Sequence, residues 1–368
     1  MINLCVPNLA GNEWKYIKEC LDTNWVSSAG SYVDKFEEQF KHYVGSNAAV
    51  VTMNGTAALH LALMSLGIGP GDEVIVPSLT FISPVNAIRY VGASPVFVDV
   101  CRDSFVMDAD KIEEMVTEKT KAILPVHIYG HPVDMDQVMK IAKKYNLFVI
   151  EDATESLGSL YKGRSTGVIG DIGCFSFNGN KLITTGAGGM MVTNDVELGK
   201  RIKYLSNQTK SVQENGGFYH EEIGYNYRMP NLLAAMGVAQ LENIDQFIAI
   251  KRENTNYYNQ SLKDVSGITL PVEKEGVMNV NWLYSVLVEQ DYPESRDRLI
   301  FKLRENDIEA RPFFVPVHSM PPYVNCKYGD LKVTNEISRL GLNLPSSVGL
   351  TPKDIDKICD IIINVLKY

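Results

Sequence analysis

The sequence predicts an α/β fold built on a large, mostly parallel sheet. In its first half, short apolar runs rich in β-branched residues alternate with segments of helical period. The apolar runs lie at residues 48–52, 74–77, 95–100, 122–128 and 147–151. This alternation is typical of parallel strands that are buried on both faces and joined by right-handed helical crossovers. A length of 368 residues allows two or three domains.

The remaining elements follow from the same periodicities. Residues 1–10 are predicted to form an extended arm, 206–220 a polar, mobile loop, and 231–260 one long helix with an apolar face. From about residue 250 onward the chain mixes strand, helix and proline-rich segments, which predicts a smaller α/β domain. Further helices are predicted at 11–23, 33–43, 54–66, 108–116, 135–145, 196–205, 297–306 and 352–366, and a further strand at 281–289.

Composition and charge exclude several classes of protein. A hydrophobic fraction of 45% and a net charge of −9 are ordinary for a globular enzyme and argue against a nucleic acid or an anionic membrane as the main partner. No apolar run approaches a membrane span, and the first residues lack the pattern of a signal peptide. The six cysteines are scattered without a Cys-x-x-Cys pair, so we expect reduced thiols in the cytoplasm and no metal site.

Residues 171–191 combine a short apolar run, a polar turn and a cluster of glycines. The turn contains Lys181 among small polar side chains, namely Ser176, Asn178, Asn180, Thr184 and Thr185. A lysine in such a turn could simply be solvated. Held among hydroxyls, amides and glycines, it could instead be a reactive amine that forms a Schiff base with an aldehyde cofactor. This stretch alone leaves both interpretations open.

The predicted strand-to-helix turn at Gly55 and Thr56 is a second candidate site. Backbone N–H groups at a helix N-terminus point outward and the helix dipole favours an anion, so this turn could bind a phosphate. An ordinary helix cap by Asn54 or Thr56 accounts for the same residues. Taken alone, the turn favours the cap.

Several functional groups fall where predicted parallel strands end, and ligands bind at that edge of such sheets. They are Phe81 with Thr80, His127, Asp152 and Lys181. Phe81 could be core packing or a flat surface for an aromatic ring, and His127 is better explained as a hydrogen-bonded core histidine. Asp152 could cap a helix beginning at Thr154 or hold a protonated heterocycle. Their joint occurrence favours a ligand site.

Together these segments resemble the DegT-type sugar aminotransferases, which are fold-type I enzymes that use pyridoxal 5′-phosphate (PLP). The resemblance covers nearly the whole chain and implies a mostly parallel seven-stranded sheet in a large domain over residues 11–248, with a small α/β domain over 249–368. The matching segments are Trp-Val-Ser-Ser-Ala-Gly at 25–30, Asn-Gly-Thr-Ala-Ala-Leu at 54–59, Pro-Ser-Leu-Thr-Phe at 77–81, Val-His-Ile-Tyr-Gly at 126–130, Glu-Asp-Ala-Thr-Glu-Ser-Leu-Gly at 151–158, residues 176–189, Gly-Tyr-Asn-Tyr-Arg-Met at 224–229 and residues 311–318.

The resemblance implies catalytic roles for two residues. Lys181 matches the Schiff-base lysine, which also moves a proton between the amino acid Cα and the cofactor C4′. Asp152 matches the acid that pairs with the pyridine nitrogen, where a carboxylate stabilises the pyridinium and makes the ring an electron sink. Because relatives that dehydrate sugars carry a histidine in place of this lysine, Lys181 favours amino transfer.

The same resemblance implies the remaining cofactor contacts. Phe81 matches the aromatic residue that stacks on the ring, and Glu155 lies at the position next to the phenolic O3′. Asn226 matches a phosphate ligand contributed by the other subunit, which implies a homodimer with shared active sites. The phosphate donors implied within the subunit are Gly55, Thr56 and Ser176.

The substrate implied by the resemblance is a nucleotide-linked sugar, with glutamate as the amino donor. The chain looks most like the GDP-perosamine synthases and the bacillosamine-type enzymes that make UDP-linked 4-amino sugars, which act at C4 of 4-keto-6-deoxy sugars. Arg228 and His318 are candidate substrate contacts, and an ion pair is an equal alternative for Arg228. One departure is Ala187, where many relatives carry glutamate. The alternatives are a C3-specific aminotransferase, another PLP reaction, and a nucleotide-binding or structural protein without catalysis.

Overall fold

The computed structural model describes residues 1–367 and confirms the α/β fold. Its strands are β1 (Ala48–Thr52), β2 (Glu73–Pro77), β3 (Ser94–Val98), β4 (Thr120–Ile123), β5 (Phe148–Asp152), β6 (Leu160–Tyr161), β7 (Arg164–Ser165), β8 (Ile172–Ser176), β9 (Gly189–Thr193), β10 (Lys210–Val212), β11 (Phe218–His220), β12 (Ile268–Thr269), β13 (Val277–Met278), β14 (Tyr284–Val288), β15 (Arg311–Pro312), β16 (Lys327–Tyr328) and β17 (Gly341–Leu344).

The helices alternate with these strands in the first half of the chain, as predicted. They are α1 (Glu13–Asp22), α2 (Ser31–Val44), α3 (Gly55–Ser65), α4 (Ser83–Tyr90), α5 (Met135–Tyr145), α6 (Val196–Ser206), α7 (Asn231–Leu241), α8 (Ile244–Leu262), α9 (Arg296–Glu305), α10 (Lys332–Leu340) and α11 (Pro352–Ile363).

The main sheet has eight strands in the order β1-β9-β8-β5-β4-β2-β3-β16. Its neighbours are parallel from β8 to β16, and β9 lies antiparallel between β1 and β8. The seven strands implied by the resemblance are present. The eighth is the two-residue strand β16, which comes from the C-terminal part of the chain and pairs Lys327 with Val96 and Tyr328 with Phe97.

Burial on both faces explains why these runs form the centre of the sheet. Consecutive residues of β2, such as Val74, Ile75 and Val76, are all fully buried, so side chains on both faces of the strand avoid water. The parallel strands β2, β5 and β8 end at Pro77, Asp152 and Ser176. The residues that follow these ends therefore meet at one edge of the sheet.

A second, antiparallel sheet is formed by β12, β14, β17 and β15 in that order. A separate hydrophobic cluster joins it to α8, α9 and α11 through residues such as Tyr258, Leu299 and Ile358. The rings of Tyr258 and Tyr284 stack with their centroids 4.5 Å apart. The predicted division between residues 248 and 249 falls inside α8 and stays a prediction.

Three predictions about local structure are wrong. The helix predicted over 231–260 is broken between α7 and α8, where the Asn243 side chain donates to the Ala239 carbonyl at 3.0 Å and competes with continued helix. The loop predicted over 206–220 contains the hairpin β10–β11. The helix predicted over 108–116 is two short 3-10 turns, which end as Val116 becomes extended.

The N-terminal arm lies along the C-terminal part of the chain. Ile2 forms a parallel β-bridge with Ile308, and the Leu4 N–H donates to Glu309 Oε2 at 3.0 Å. The Leu4 carbonyl accepts from the Ser346 N–H at 2.7 Å. These contacts bring Leu4 and its neighbour Cys5 to the edge at which the parallel strands end.

None of the helices within residues 1–367 is long and apolar enough to cross a membrane. In the same residues, no three His, Cys, Asp or Glu side chains come together as metal ligands would.

Candidate active site

A cavity of about 410 Å³ opens at the edge of the sheet where the parallel strands end. Its wall combines hydroxyl, amide and charged groups with aromatic and aliphatic side chains from both sheets and from the N-terminal arm. Its lining residues are Leu4, Cys5, Asn54, Gly55, Thr56, Leu59, Thr80, Phe81, Ser83, Pro84, Val126, Asp152, Thr154, Glu155, Ser176, Asn178, Asn180, Lys181, Ala187, Gly188, Trp282, Leu283, Glu309, Arg311, Pro312, Phe314 and Asn343.

Lys181 projects from the turn that follows β8. The backbone N–H of Lys181 donates to the Asn178 carbonyl at 3.0 Å, which closes the turn. Its Nζ lies 3.7 Å from Glu155 Oε1 and 3.9 Å from the centre of the Trp282 ring. The amine is therefore held within the cavity between a carboxyl group and an aromatic face, and it is not a solvated surface lysine.

Asp152 is the last residue of β5 and is almost fully buried. Its Oδ1 accepts from the Thr154 N–H at 3.1 Å, but no helix begins at Thr154. Burial raises the pKa of Asp152, and the hydrogen bonds from Thr154 and the charge of Lys181 offset only part of that rise. A buried carboxyl group of this kind is stabilised in its ionised form when a cation binds beside it.

Glu155 lies on the loop after β5 and is also buried. Its Oε2 accepts from the Tyr129 N–H at 2.9 Å. Burial raises the pKa of Glu155, while the positive charge of Lys181 and the Tyr129 N–H act in the opposite direction. A raised pKa favours a protonated carboxyl group, which can donate a hydrogen bond to an oxygen of a ligand.

The helix start at Gly55 and Thr56 faces the cavity beside Ser176. Asn54 caps α3 by accepting from the Ala57 N–H at 2.8 Å, so the predicted cap is present. The cap leaves the first N–H groups of the helix directed outward, because no residue of the helix can accept from them. A Cβ at Gly55 would lie 3.0 Å from the Ser176 Cβ, so only glycine leaves this concave turn open.

Phe81 is 52% exposed and is not a core residue. Its ring lies 5.7 Å from the ring of Phe314, at a tilt of 59°. The exposed part of Phe81 contributes an aromatic surface to the cavity.

Seven of the predicted site residues line this cavity, and three do not. Asn226 is exposed on the loop before α7. Arg228 is buried and donates to Glu37 Oε1 at 3.0 Å, which is an ion pair away from the cavity. The His318 Nδ1 lies 2.6 Å from Ser78 Oγ, and neither residue lines the cavity. The lining residues are Gly55, Thr56, Phe81, Asp152, Glu155, Ser176 and Lys181.

His127 is a fully buried histidine with both ring nitrogens satisfied. Its Nδ1 accepts from the Val133 N–H at 3.0 Å, so the proton is on Nε2, which donates to Glu151 Oε2 at 3.0 Å. Glu151 also accepts from the N–H groups of Gly167, Ile169 and Gly170. This network fixes the end of β5 directly beneath Asp152.

Several lining residues could not be predicted from their surroundings in the sequence. Trp282 lies in an apolar run that is typical of core, and its contact with Lys181 comes from a distant part of the chain. Glu309 and Arg311 form an ion pair at 2.6 Å beside the cavity. Ala187 also lines the cavity.

The mostly parallel sheet, the enclosed lysine and the strand-end acid define an aminotransferase of the fold-type I class. Residues 7–363 match the DegT/DnrJ/EryC1/StrS aminotransferase family, and the chain belongs to this family. The chain is therefore an enzyme of the aminotransferase class.

Named relatives cover almost the whole chain. It is 46% identical to a GDP-perosamine synthase of Escherichia coli O157:H7 over 97% of this chain and 96% of the relative. It is 44% identical to a GDP-perosamine synthase of Caulobacter vibrioides over 99% of this chain and 98% of the relative. Among solved structures, the PLP form of Spr1654 from Streptococcus pneumoniae, provisionally named a sugar aminotransferase, matches with a TM-score of 0.92 and 26% identity over 99% of this chain and 98% of that one.

Proposed function

We propose that the chain transfers an amino group from glutamate to C4 of a nucleotide-linked 4-keto-6-deoxy sugar, using PLP. The observation that carries this proposal is the amine of Lys181, enclosed at the sheet edge together with the strand-end acid Asp152. Over one full cycle, glutamate gives up its amino group and leaves as its 2-keto acid with an oxygen taken from one water, while the C4 carbonyl oxygen of the sugar leaves as another water, so no net water is consumed. In this proposal the two substrates react in turn, in a ping-pong cycle.

The residues present fit PLP on three points of this structure. Lys181 offers an amine for an aldehyde, and Asp152 offers a buried carboxyl group that a protonated ring nitrogen would stabilise as the anion. The open turn at Gly55, beside the Ser176 hydroxyl, offers N–H and O–H donors for a phosphate. When bound, PLP supplies an aldehyde that accepts amines and a ring that withdraws electrons from the reacting carbon.

The chain's own residues would bind and orient the cofactor and the substrates, and they would move protons. Lys181 is the group placed to take a proton from one substrate carbon and return it at the neighbouring position, so the same Nζ acts as base and then as acid. With PLP bound, Asp152 would hold the positive charge of the ring nitrogen. Glu155, with its raised pKa, would donate to the phenolic oxygen, and Phe81 would cover one face of the ring.

The names of two relatives support the C4 position. Both GDP-perosamine synthases share more than two-fifths of their residues with this chain over nearly the full length. A guanosine diphosphate sugar is therefore the first substrate to test, with UDP-linked and dTDP-linked 4-keto sugars as the next. A product aminated at C3 would replace the C4 assignment.

We also propose a homodimer in which Asn226 completes the partner's phosphate site. In the single chain, Asn226 is exposed and does not line the cavity, as expected of a residue that acts across a subunit interface. We place the protein in the cytoplasm, since its six cysteines are all free within residues 1–367.

The experiment combines absorbance with product mass. The purified protein is expected to be yellow with PLP, to lose its visible band with glutamate and to regain it with a 4-keto nucleotide sugar. A panel of GDP-, UDP- and dTDP-linked 4-keto and 3-keto sugars, read by product mass and by NMR, identifies the nucleotide and the carbon. A protein that takes up no PLP would refute the proposal.

A further inference from the structure

Trp282 contacts Lys181 with the face of its indole ring. The Nζ of Lys181 lies 3.9 Å from the ring centre, which is within the range of a cation–π interaction. Trp282 is only 4% exposed, so this contact is largely shielded from water. An ammonium group is attracted most strongly to the face of a tryptophan when both are desolvated.

The same indole also holds the backbone next to Lys181. Its Nε1–H donates to the Asn180 carbonyl at 2.7 Å, and Asn180 directly precedes Lys181. The Cys5 thiol of the N-terminal arm donates to the same carbonyl at 3.0 Å. The Trp282 side chain therefore contacts the amine of Lys181 and also hydrogen-bonds the peptide group that precedes Lys181.

Trp282 is itself fixed from behind by Lys251. The buried Nζ of Lys251 donates to the Trp282 carbonyl at 2.8 Å and to the Ser346 carbonyl at 2.6 Å. These bonds tie the segment that carries Trp282, just before β14, to α8. The indole therefore has little freedom to move away when the amine beneath it moves.

We propose that Trp282 is a positioning residue for Lys181, which holds the amine in line whenever it is not bonded to the cofactor. This inference rests on the proposed function. During half of each amino-transfer cycle the transferred nitrogen replaces the lysine amine on the cofactor. The released amine must then stay close enough to carry the proton. Glu155 lies on one side of it at 3.7 Å and the Trp282 ring on another, so the two together define its position.

The test compares W282F, which keeps an aromatic face without the N–H, with W282L, which removes both contacts. The exposed Trp14, changed to Phe and to Leu, is the matched control. The maximal rate of the glutamate half-reaction is measured from the visible band of the holoenzyme across pH, together with PLP affinity. We expect W282L to lower that rate about tenfold or more and W282F about threefold, with PLP affinity within about threefold. The acid limb of the W282L profile moves to lower pH, because Lys181 must be unprotonated to act as the base and the ring no longer favours the ammonium.

A W282L rate within about twofold of the parent, or an equal loss at every pH, overturns the proposal. If W282L fails to fold, a W282F rate and profile equal to the parent's overturn it. A second readout needs no cofactor. In the apoenzyme, reductive methylation of Lys181, followed by mass spectrometry relative to the other lysines, is expected to be about fivefold faster in W282L and near the parent rate in W282F. An unchanged rate in W282L contradicts the contact even if the chain binds no PLP, which separates this failure from that of the proposed function.

Discussion

Glu151 and His127 form a fully buried hydrogen-bonded pair directly beneath the candidate active site. Burial alone would raise the pKa of Glu151. The hydrogen bond from His127, with those from the N–H groups of Gly170 and Gly167, outweighs burial and holds that pKa below its ordinary value of 4.5. The pair therefore anchors the end of β5 with an ionised carboxylate.

We predict that E151Q destabilises the protein by about 3 kcal/mol, because an amide cannot accept all the hydrogen bonds that the carboxylate accepts. Since the folded-state pKa is lowered, the stabilisation from Glu151 is fully present above about pH 4.5 and is lost as pH falls through the lower folded-state pKa. Urea unfolding of the parent and E151Q from pH 3 to 7 measures both effects. The exposed Glu221, changed to Gln, is the control. Equal stability of E151Q and the parent at pH 7 would contradict the prediction.

We predict that K181A folds, loses the visible band of the bound cofactor and turns over at least about 10³-fold more slowly. K181R, which keeps the positive charge without a nucleophilic amine, is expected to be equally inactive. K200A, at an exposed lysine, is the control. Absorbance with PLP and a coupled assay for the keto acid provide the measurements. Turnover near the parental rate in K181A would remove Lys181 from its assigned role.

We predict that D152N binds PLP but turns over about 10²–10³-fold more slowly, because a neutral amide cannot stabilise a positive charge on the ring nitrogen. Cofactor affinity by fluorescence and kcat by product formation separate binding from rate. A D152N enzyme with near-parental kcat would show that the ring needs no anionic partner here.

We predict that G55A weakens PLP binding about tenfold, since its new Cβ would lie 3.0 Å from the Ser176 Cβ and 3.1 Å from the Thr154 Cγ2. G179A is the matched control, because a Cβ at Gly179 would meet no atom within 4 Å. Both variants are titrated with PLP and with inorganic phosphate. Equal affinities for the two variants would place the phosphate elsewhere.

We predict that a mixed dimer of K181A and N226A subunits keeps about half of the parental activity, with parental PLP affinity at the working site. If Asn226 acts across the interface, one site receives both changes and the other receives neither. If Asn226 acts within its own chain, no site is intact and activity falls to about half that of the N226A homodimer. Differently tagged subunits, purified as the mixed dimer, are assayed beside each homodimer.

The central part of the fold and much of the site were predictable because their signals are local. Each buried run ends at a definite residue, so the placement of Asp152 and Lys181 at one edge followed from parallel strands alone. The capping side chain of Asn54 and the glycine after it likewise marked a helix start. The roles of these residues came from the resemblance to a family and remain predictions.

The contacts that were missed are those between distant parts of the chain. Trp282 and Asn180 are 102 residues apart, and nothing near Trp282 distinguishes it from an ordinary core residue. The break at Asn243 was missed because the apolar face continues on either side of it. Arg228 was left with two alternatives for a different reason. A single cation is equally suited to a phosphate or to Glu37, and the neighbours of Arg228 in sequence do not decide between them.

The two-residue strand β16 has a consequence for solubility. An edge strand presents unpaired N–H and C=O groups that can recruit a strand from another chain, which is a route to aggregation. On the outer side of β3, Lys327 and Tyr328 pair with Val96 and Phe97, and the Gly329 N–H donates to the Phe97 carbonyl at 3.1 Å. A short piece from late in the chain thus shields the edge of a sheet built from its first half. A nascent chain that has not yet reached residue 329 would leave that edge open, so the late segment also protects against misassembly once synthesis is complete.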